Sequence, residues 1–308
     1  MTSRVHRALS VAVLSALAWP AFAACGGKAV GDDCQSVVPD AKSSCGYDVQ
    51  LIGDVSACGF GDGGNVDPAT CKRLCGEAAS CWYSSGNTLS CGSPCPGRKP
   101  SGLTVESPPG KSAGAYLARA AFYEAASFDA FQILARELEA WGAPAVLTRD
   151  ARAAAADEAR HARTIAALAE RYEGATHDPK VVQTGTRSLF AIALENAVEG
   201  CVHETFAAAV AAIQGCTARD LRLRRAMKEI AGDEARHADL AWRVAAWIEP
   251  KLTPGERAKI DSARRAAAAS LLPDLLDDAA HTELGVPVEA AGRTVARTLF
   301  AELDLLAA

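Results

Sequence analysis

Asp157-Glu158-Ala159-Arg160-His161-Ala162 recurs in this chain as Asp233-Glu234-Ala235-Arg236-His237-Ala238. Each copy carries a carboxylate and an imidazole three residues apart, and on a helix positions i and i+3 share a face. Glu158 and His161 can therefore point at one metal ion while Glu234 and His237 point at a second. The alanine-rich surroundings favour helix, alanine being the best helix former. The doubled hexapeptide thus predicts a helical bundle around a two-metal centre.

Outward from the hexapeptides, four long segments carry apolar residues at helical spacing: about 113–141, 148–172, 188–213 and 217–248. Gly142 and Pro144 punctuate the first gap, and Pro250 follows the fourth segment. The first gap and the third, at 214–216, are short enough to fold their neighbours back as hairpins. The middle gap, 173–187, is longer; at ~3.3 Å per residue it can run the ~38 Å length of a ~25-residue helix.

A ligand carboxylate must interrupt the apolar stripe of its helix, because only that face reaches the interior. The first stripe reads Leu117, Glu124, Phe131, Leu138, and the third reads Ile192, Glu199, Phe206, Ile213. In the second, Glu158 and His161 align with Ile165 and Leu168; in the fourth, Glu234 and His237 align with Met227, Ile230, Val244 and Ile248. From 124 to 158 is 34 residues and from 199 to 234 is 35, so the hairpins repeat each other with pseudo-twofold symmetry. Burying carboxylates together costs several kcal/mol each unless the charge is compensated, and two divalent cations would compensate it. The expected ligands are therefore Glu124, Glu158, His161, Glu199, Glu234 and His237.

Glu195 and His203 lie one turn either side of Glu199, each rotated by ~40° from it. Glu204 and Asp129 turn well off the metal face on this reading and are expected in solvent. Cys201 and Cys216 would stand ~22 Å apart on an unbroken helix, beyond the ~7 Å a disulfide tolerates, so each is free or pairs elsewhere. Tyr123 and Phe122, Phe128, Phe131 and Phe206 are expected to pack, with Tyr123 turned ~100° from Glu124.

Residues 113–248 resemble the ferritin-like superfamily, in which one Glu from each of two helices and Glu-x-x-His from each of the other two hold a metal pair. The doubled Asp-Glu-x-Arg-His is similar to that of soluble di-iron oxygenases. The resemblance implies a mainly α chain with a ferritin-like four-helix bundle, two antiparallel hairpins joined by one long crossover. It implies that Asp157 and Asp233 accept the free N–H of the ligand histidines across the pseudo-twofold, with Arg160 and Arg236 balancing their charge. As in some rubrerythrin-like sites, Glu195 is an additional candidate ligand. The cofactor would be two metal ions, iron foremost, with manganese, zinc or a mixed pair as alternatives.

The activity implied is that of an oxidase or oxygenase activating O2, or a rubrerythrin-like peroxidase, acting on a small substrate. No rubredoxin-type pair of Cys-x2-Cys motifs is present, so electrons would come from an external donor. Two other classes stand beside this one: a non-catalytic protein that binds or stores iron at the cell envelope, and a metal-stabilised scaffold presenting the Cys-rich module.

Residues 1–24 read as an export signal: Arg4, His6 and Arg7, then an apolar run over 8–19 too short to span a bilayer, then small residues. Phe22-Ala23-Ala24-Cys25 resembles a bacterial lipobox, which would make Cys25 the acylated start of an envelope lipoprotein; a secreted protein cut after Ala23 is the alternative. A tether over 25–33 leads to a module over 34–97 with Cys34, Cys45, Cys58, Cys71, Cys75, Cys81, Cys91 and Cys95. Four disulfides are expected there, because the segment is too poor in large apolar residues to build a core; zinc competes, but no Cys-x2-Cys pair occurs. A Pro-rich linker over 98–112 precedes the bundle, 113–250, and a helical extension, 251–308, carries the stripe Val295, Leu299, Leu303, Leu306, to be buried on the bundle or on another copy. The net charge of −5 without any Lys/Arg cluster argues against nucleic acid as a partner.

Overall fold

Ser112, Ser188 and Asp220 each turn a side-chain oxygen onto the first backbone N–H groups of the helix that follows, the cap that four unpaired N–H groups demand. They set the starts of three of the long helices. The computed structural model describes residues 2–17, 35–37, 47–52, 68–75, 81–84, 88–91, 98–100, 102–104, 107–182, 185–271 and 276–305. The chain is mainly helical. In order the elements are α1 (Thr2–Leu17), β1 (Gln35–Val37), β2 (Tyr47–Ile52), α2 (Pro68–Cys75), β3 (Cys81–Ser84), β4 (Thr88–Cys91), α3 (Ala113–Ala140), α4 (Ala145–Arg171), α5 (Leu189–Glu195), a π segment (Asn196–Glu204), α6 (Thr205–Thr217), α7 (Leu221–Ile248), α8 (Pro254–Ser270), α9 (Asp278–Leu284) and α10 (Glu289–Glu302).

α3 and α4 pack along their lengths, with Gly114 at the start of one against Tyr172 and Gly174 at the end of the other. A side chain at Gly114 would strike that backbone, so the close approach requires glycine. α6 pairs with α7, and α4 crosses onto α7, which joins the two hairpins. The crossover after α4 runs beside the linker, with Val182 N donating to Gly102 O at 2.9 Å and Thr104 N to Lys180 O at 2.9 Å.

Two apolar plugs fill the interior. Phe131, Leu134, Leu138, Leu147, Leu240 and Val244 close one end, and Leu117, Ile165, Leu168, Leu223, Met227 and Ile230 the other. The doubled hexapeptides lie between them. A third apolar layer covers the outer face of α6 and α7 with α1 and α10. There Val5, Ala8, Leu9 and Ala12 of α1 are buried together with Val295, Leu299 and Leu303 of the tail stripe. The stripe thus lies on the bundle; its Leu306 falls outside the described residues. Among these residues no helix is long and apolar enough to cross a membrane.

The third long helix departs from expectation. It is one rod from Leu189 to Thr217, since Glu195, Asn196, Glu204 and Thr205 all keep right-handed helical angles, but its middle is π-helical. It also runs past the gap expected at 214–216; the reversal falls at 218–220, where Asp220 caps α7. Within the tail, Asp277 caps the start of the short α9, and Gly285 at φ 67° ends it.

In the Cys-rich segment the described residues form a four-stranded antiparallel sheet in the order β1-β2-β4-β3, with α2 between β2 and β3. Cys71 and Cys75 lie on α2, Cys81 opens β3 and Cys91 closes β4. Cys75 is buried and disulfide-bonded. Cys25, Cys34, Cys45, Cys58 and Cys95 lie outside the described residues. Cys201, buried, and Cys216, exposed, are both free thiols, as a helix continuous between them requires.

Candidate metal centre

Six buried ionisable side chains meet between the apolar plugs. Ligand atoms of Glu124, Glu158, His161 and Glu234 lie within 4.8 Å of one another, and so do those of Glu158, Glu204, Glu234 and His237. Glu158 and Glu234 belong to both groups. None of the six residues is more than 4 % exposed.

The imidazoles face this cluster through Nδ1. His161 Nδ1 lies 3.3 Å from Glu124 and 3.4 Å from Glu234, and His237 Nδ1 lies 2.9 Å from Glu158 and 3.7 Å from Glu204. The Nε2 atoms point the other way, to carboxylates on the opposite hexapeptide: His161 to Asp233 at 2.9 Å, His237 to Asp157 at 3.5 Å. Arg160 donates to Asp157 at 2.8 Å and to Asp233, while Arg236 donates to Asp233 and to Asp157 at 3.3 Å. Each arginine therefore ties both aspartates, and each aspartate holds the histidine of the other copy. The nearby His237 ring and the Arg160 guanidinium keep Asp157 well below the usual carboxylate range. With Nε2–H turned to the aspartates in this way, loss of the other ring proton would leave Nδ1 as the lone-pair nitrogen aimed at the cluster. Replacing Asp233 by Ala is expected to weaken metal binding by about 10- to 100-fold, read by competition against a chromophoric chelator.

The third helix supplies Glu204 to this cluster. Glu204 is fully buried, not in solvent, while Glu199 lies outside both groups, paired with His203 at 3.1 Å and accepting from Lys99 N at 3.2 Å. The reason is the π segment: its wider i→i+5 turns rotate the residues beyond it relative to an α-helix, and the two glutamates are five residues apart. Glu195 is also outside, bonded to Arg187 at 2.5 Å. Asp129 is half-buried, its carboxyl pushed up by burial. Tyr123 turns from the cluster to Ser107 Oγ at 3.4 Å, and Phe131 packs against the ring of His237 with centroids 5.1 Å apart and the planes tilted by 58°.

Electrostatics mark the cluster as incomplete on its own. Burial, then repulsion from Glu234 and Glu124, pushes Glu158 well up; burial with Glu234 and Glu158 does the same to Glu204. Burial opposes charge on His161, but contacts with Glu124 and Glu234 outweigh it and push the imidazole up to about 12. Neither oxygen of Glu158, Glu204 or Glu234 accepts a hydrogen bond from any described residue. Buried polar atoms left so are rare and costly, and metal ions would satisfy all of them at once. Carboxylate oxygens with imidazole nitrogen suit iron, manganese or zinc. No family model, curated protein or solved structure gives a significant match to this chain.

Proposed function

We propose that the protein is a di-metal carboxylate oxidoreductase of ferritin-like architecture, exported to the cell envelope, that activates O2 or peroxide. The observation that carries this reading is the sharing of Glu158 and Glu234 between two overlapping four-residue groups. Glu158 and Glu234 would be shared by two metal positions, one held also by Glu124 and His161 and the other also by Glu204 and His237. A reduced pair bound there would supply electrons to O2 or peroxide.

The chain's own residues would exclude water and hold the imidazoles. The apolar plugs close both ends, Phe131 covers His237, and the Asp–Arg ties keep Nδ1 inward. The envelope setting is supported by the composition of residues 1–24 and the cysteine content that follows.

Anaerobic loading with Fe(II), then air or peroxide, tests the reading by absorption spectroscopy and product analysis. A new absorption band followed by turnover of an added reductant supports it. Two tightly held metals with no spectral change would leave a metal-stabilised scaffold instead.

Metal uptake should also release protons. Glu158, Glu204, His161 and His237 all have their pKa raised in the metal-free protein, so the cluster holds its protons more tightly than free side chains do, and a metal must displace them. Affinity is therefore expected to fall as pH falls. Calorimetric titrations in buffers of different ionisation enthalpy measure the release; identical heats in all of them would contradict it.

A further inference from the structure

Among the described residues Arg98 is the largest charged side chain with no exposure at all, yet it belongs to the linker, where its neighbour Lys99 is exposed. Its guanidinium enters the bundle beside the π segment. Nη1 donates to Asn196 Oδ1 at 3.2 Å, Nη2 lies 3.5 Å from Glu195, and the plane sits 5.6 Å over the Phe131 ring. Its own carbonyl accepts from Ser127 Oγ of α3 at 2.9 Å, and the next residue's N–H reaches Glu199. Asn196, the first residue of the π segment, is in turn tied to Ala241 O of α7 at 2.9 Å.

Gly200 makes the room. A Cβ there would come within 2.7 Å of Ala241 Cβ, 2.8 Å of Asn196 Oδ1 and 3.0 Å of Arg98 Nη1. A glycine in mid-helix is otherwise unfavourable, and π-helical turns are uncommon without something that holds them. The linker thus reaches the π segment at its first residue, at its centre and at Glu199. These contacts lie upstream of Glu204, which ends the segment.

We propose that Arg98 is a positioning residue: seated in the notch at Gly200, it holds Asn196–Glu204 in the π register that presents Glu204 to the second metal position. The inference rests on the di-metal reading for its effect on metal, but not for its effect on the helix. In an α register Glu199, five residues earlier, competes for the inward face, and its bonds to His203 and Lys99 keep it away.

Stepwise Co(II) titration of Arg98→Met, which keeps bulk but removes the donors, tests this. The first equivalent is expected to bind within about threefold of the parent and the second to weaken by about tenfold or more, the range typical for outer partners of a ligand. In a Glu204→Ala background Arg98→Met should add nothing, because the ligand it positions is gone. Equal weakening of both equivalents, or additive losses in the double variant, would reduce Arg98 to a packing residue and overturn the proposal. Hydrogen exchange of the metal-free protein gives the second readout: amides over 196–205 should exchange faster in Arg98→Met while those of α4 do not change. Unchanged exchange over 196–205 would also overturn it. Should Arg98→Met fail to fold, Gly200→Ala, which fills the notch, is expected to give the same selective loss. A parent protein that binds no Co(II) would sink the di-metal reading while leaving the exchange arm decisive for Arg98.

Discussion

Glu234→Ala is expected to abolish binding of both metal ions, whereas Glu204→Ala or Glu124→Ala should each leave one. Glu234 and Glu158 supply donors to both groups, while Glu124 and Glu204 each serve one. Deleting a shared carboxylate removes a donor from both positions and leaves three carboxylates to balance two divalent ions, so neither ion is retained. Elemental analysis of purified, fully loaded variants reads the difference directly. Two metals per chain in Glu234→Ala would remove the bridging role. Glu158→Gln adds a control on folding. Burial and the neighbouring carboxylates already favour the protonated form of Glu158 without metal, so the amide should change metal-free stability by about 1 kcal/mol or less. The same substitution should eliminate stabilisation by metal.

Much of this centre was legible because its signals are periodic. The Glu-x-x-His pairs lie on apolar stripes of regular α-helices, and five of the six clustered residues, Glu124, Glu158, His161, Glu234 and His237, follow from a 3.6-residue period. The sixth does not. Glu199 keeps almost the same distance from its hexapeptide as Glu124 does, 35 residues against 34, and so it read as a member of the cluster that it does not join. Glu204 reaches the cluster only because a π segment breaks that period. Three ionisable residues in the run Glu199, His203, Glu204, with Gly200 among them, were the available sign that this helix is irregular. Arg98 was beyond reach of any periodic reading, because a linker residue becomes buried only through tertiary contacts. The sheet order in the Cys-rich segment was equally hidden, since short strands of mixed polarity carry no strong alternation.

Between the two plugs the sequence tolerates a patch that would be destabilising anywhere else in the core. Alanines are buried on the helices around it, among them Ala121, Ala126 and Ala155. The four arginine–aspartate contacts between the hexapeptides lie nearer the surface, with Arg160 and Arg236 about half exposed, so they contribute orientation more than stability.

Removing the metal should therefore lower the melting temperature by a large margin. A ligand that binds only the folded chain stabilises it by ~2.7 kcal/mol at a free concentration of ~100 Kd, and two such sites double the effect. For a helical body of this size each kcal/mol shifts the melting temperature by ~2–4 °C, which makes the expected difference between loaded and chelated protein about 10–20 °C. Differential scanning calorimetry with and without a strong chelator measures it. Glu234→Ala supplies the decisive comparison: with no metal bound in either condition, its melting temperature should be the same with and without chelator. A parent protein equally indifferent to the chelator would mean that the buried carboxylates are tolerated by protonation alone.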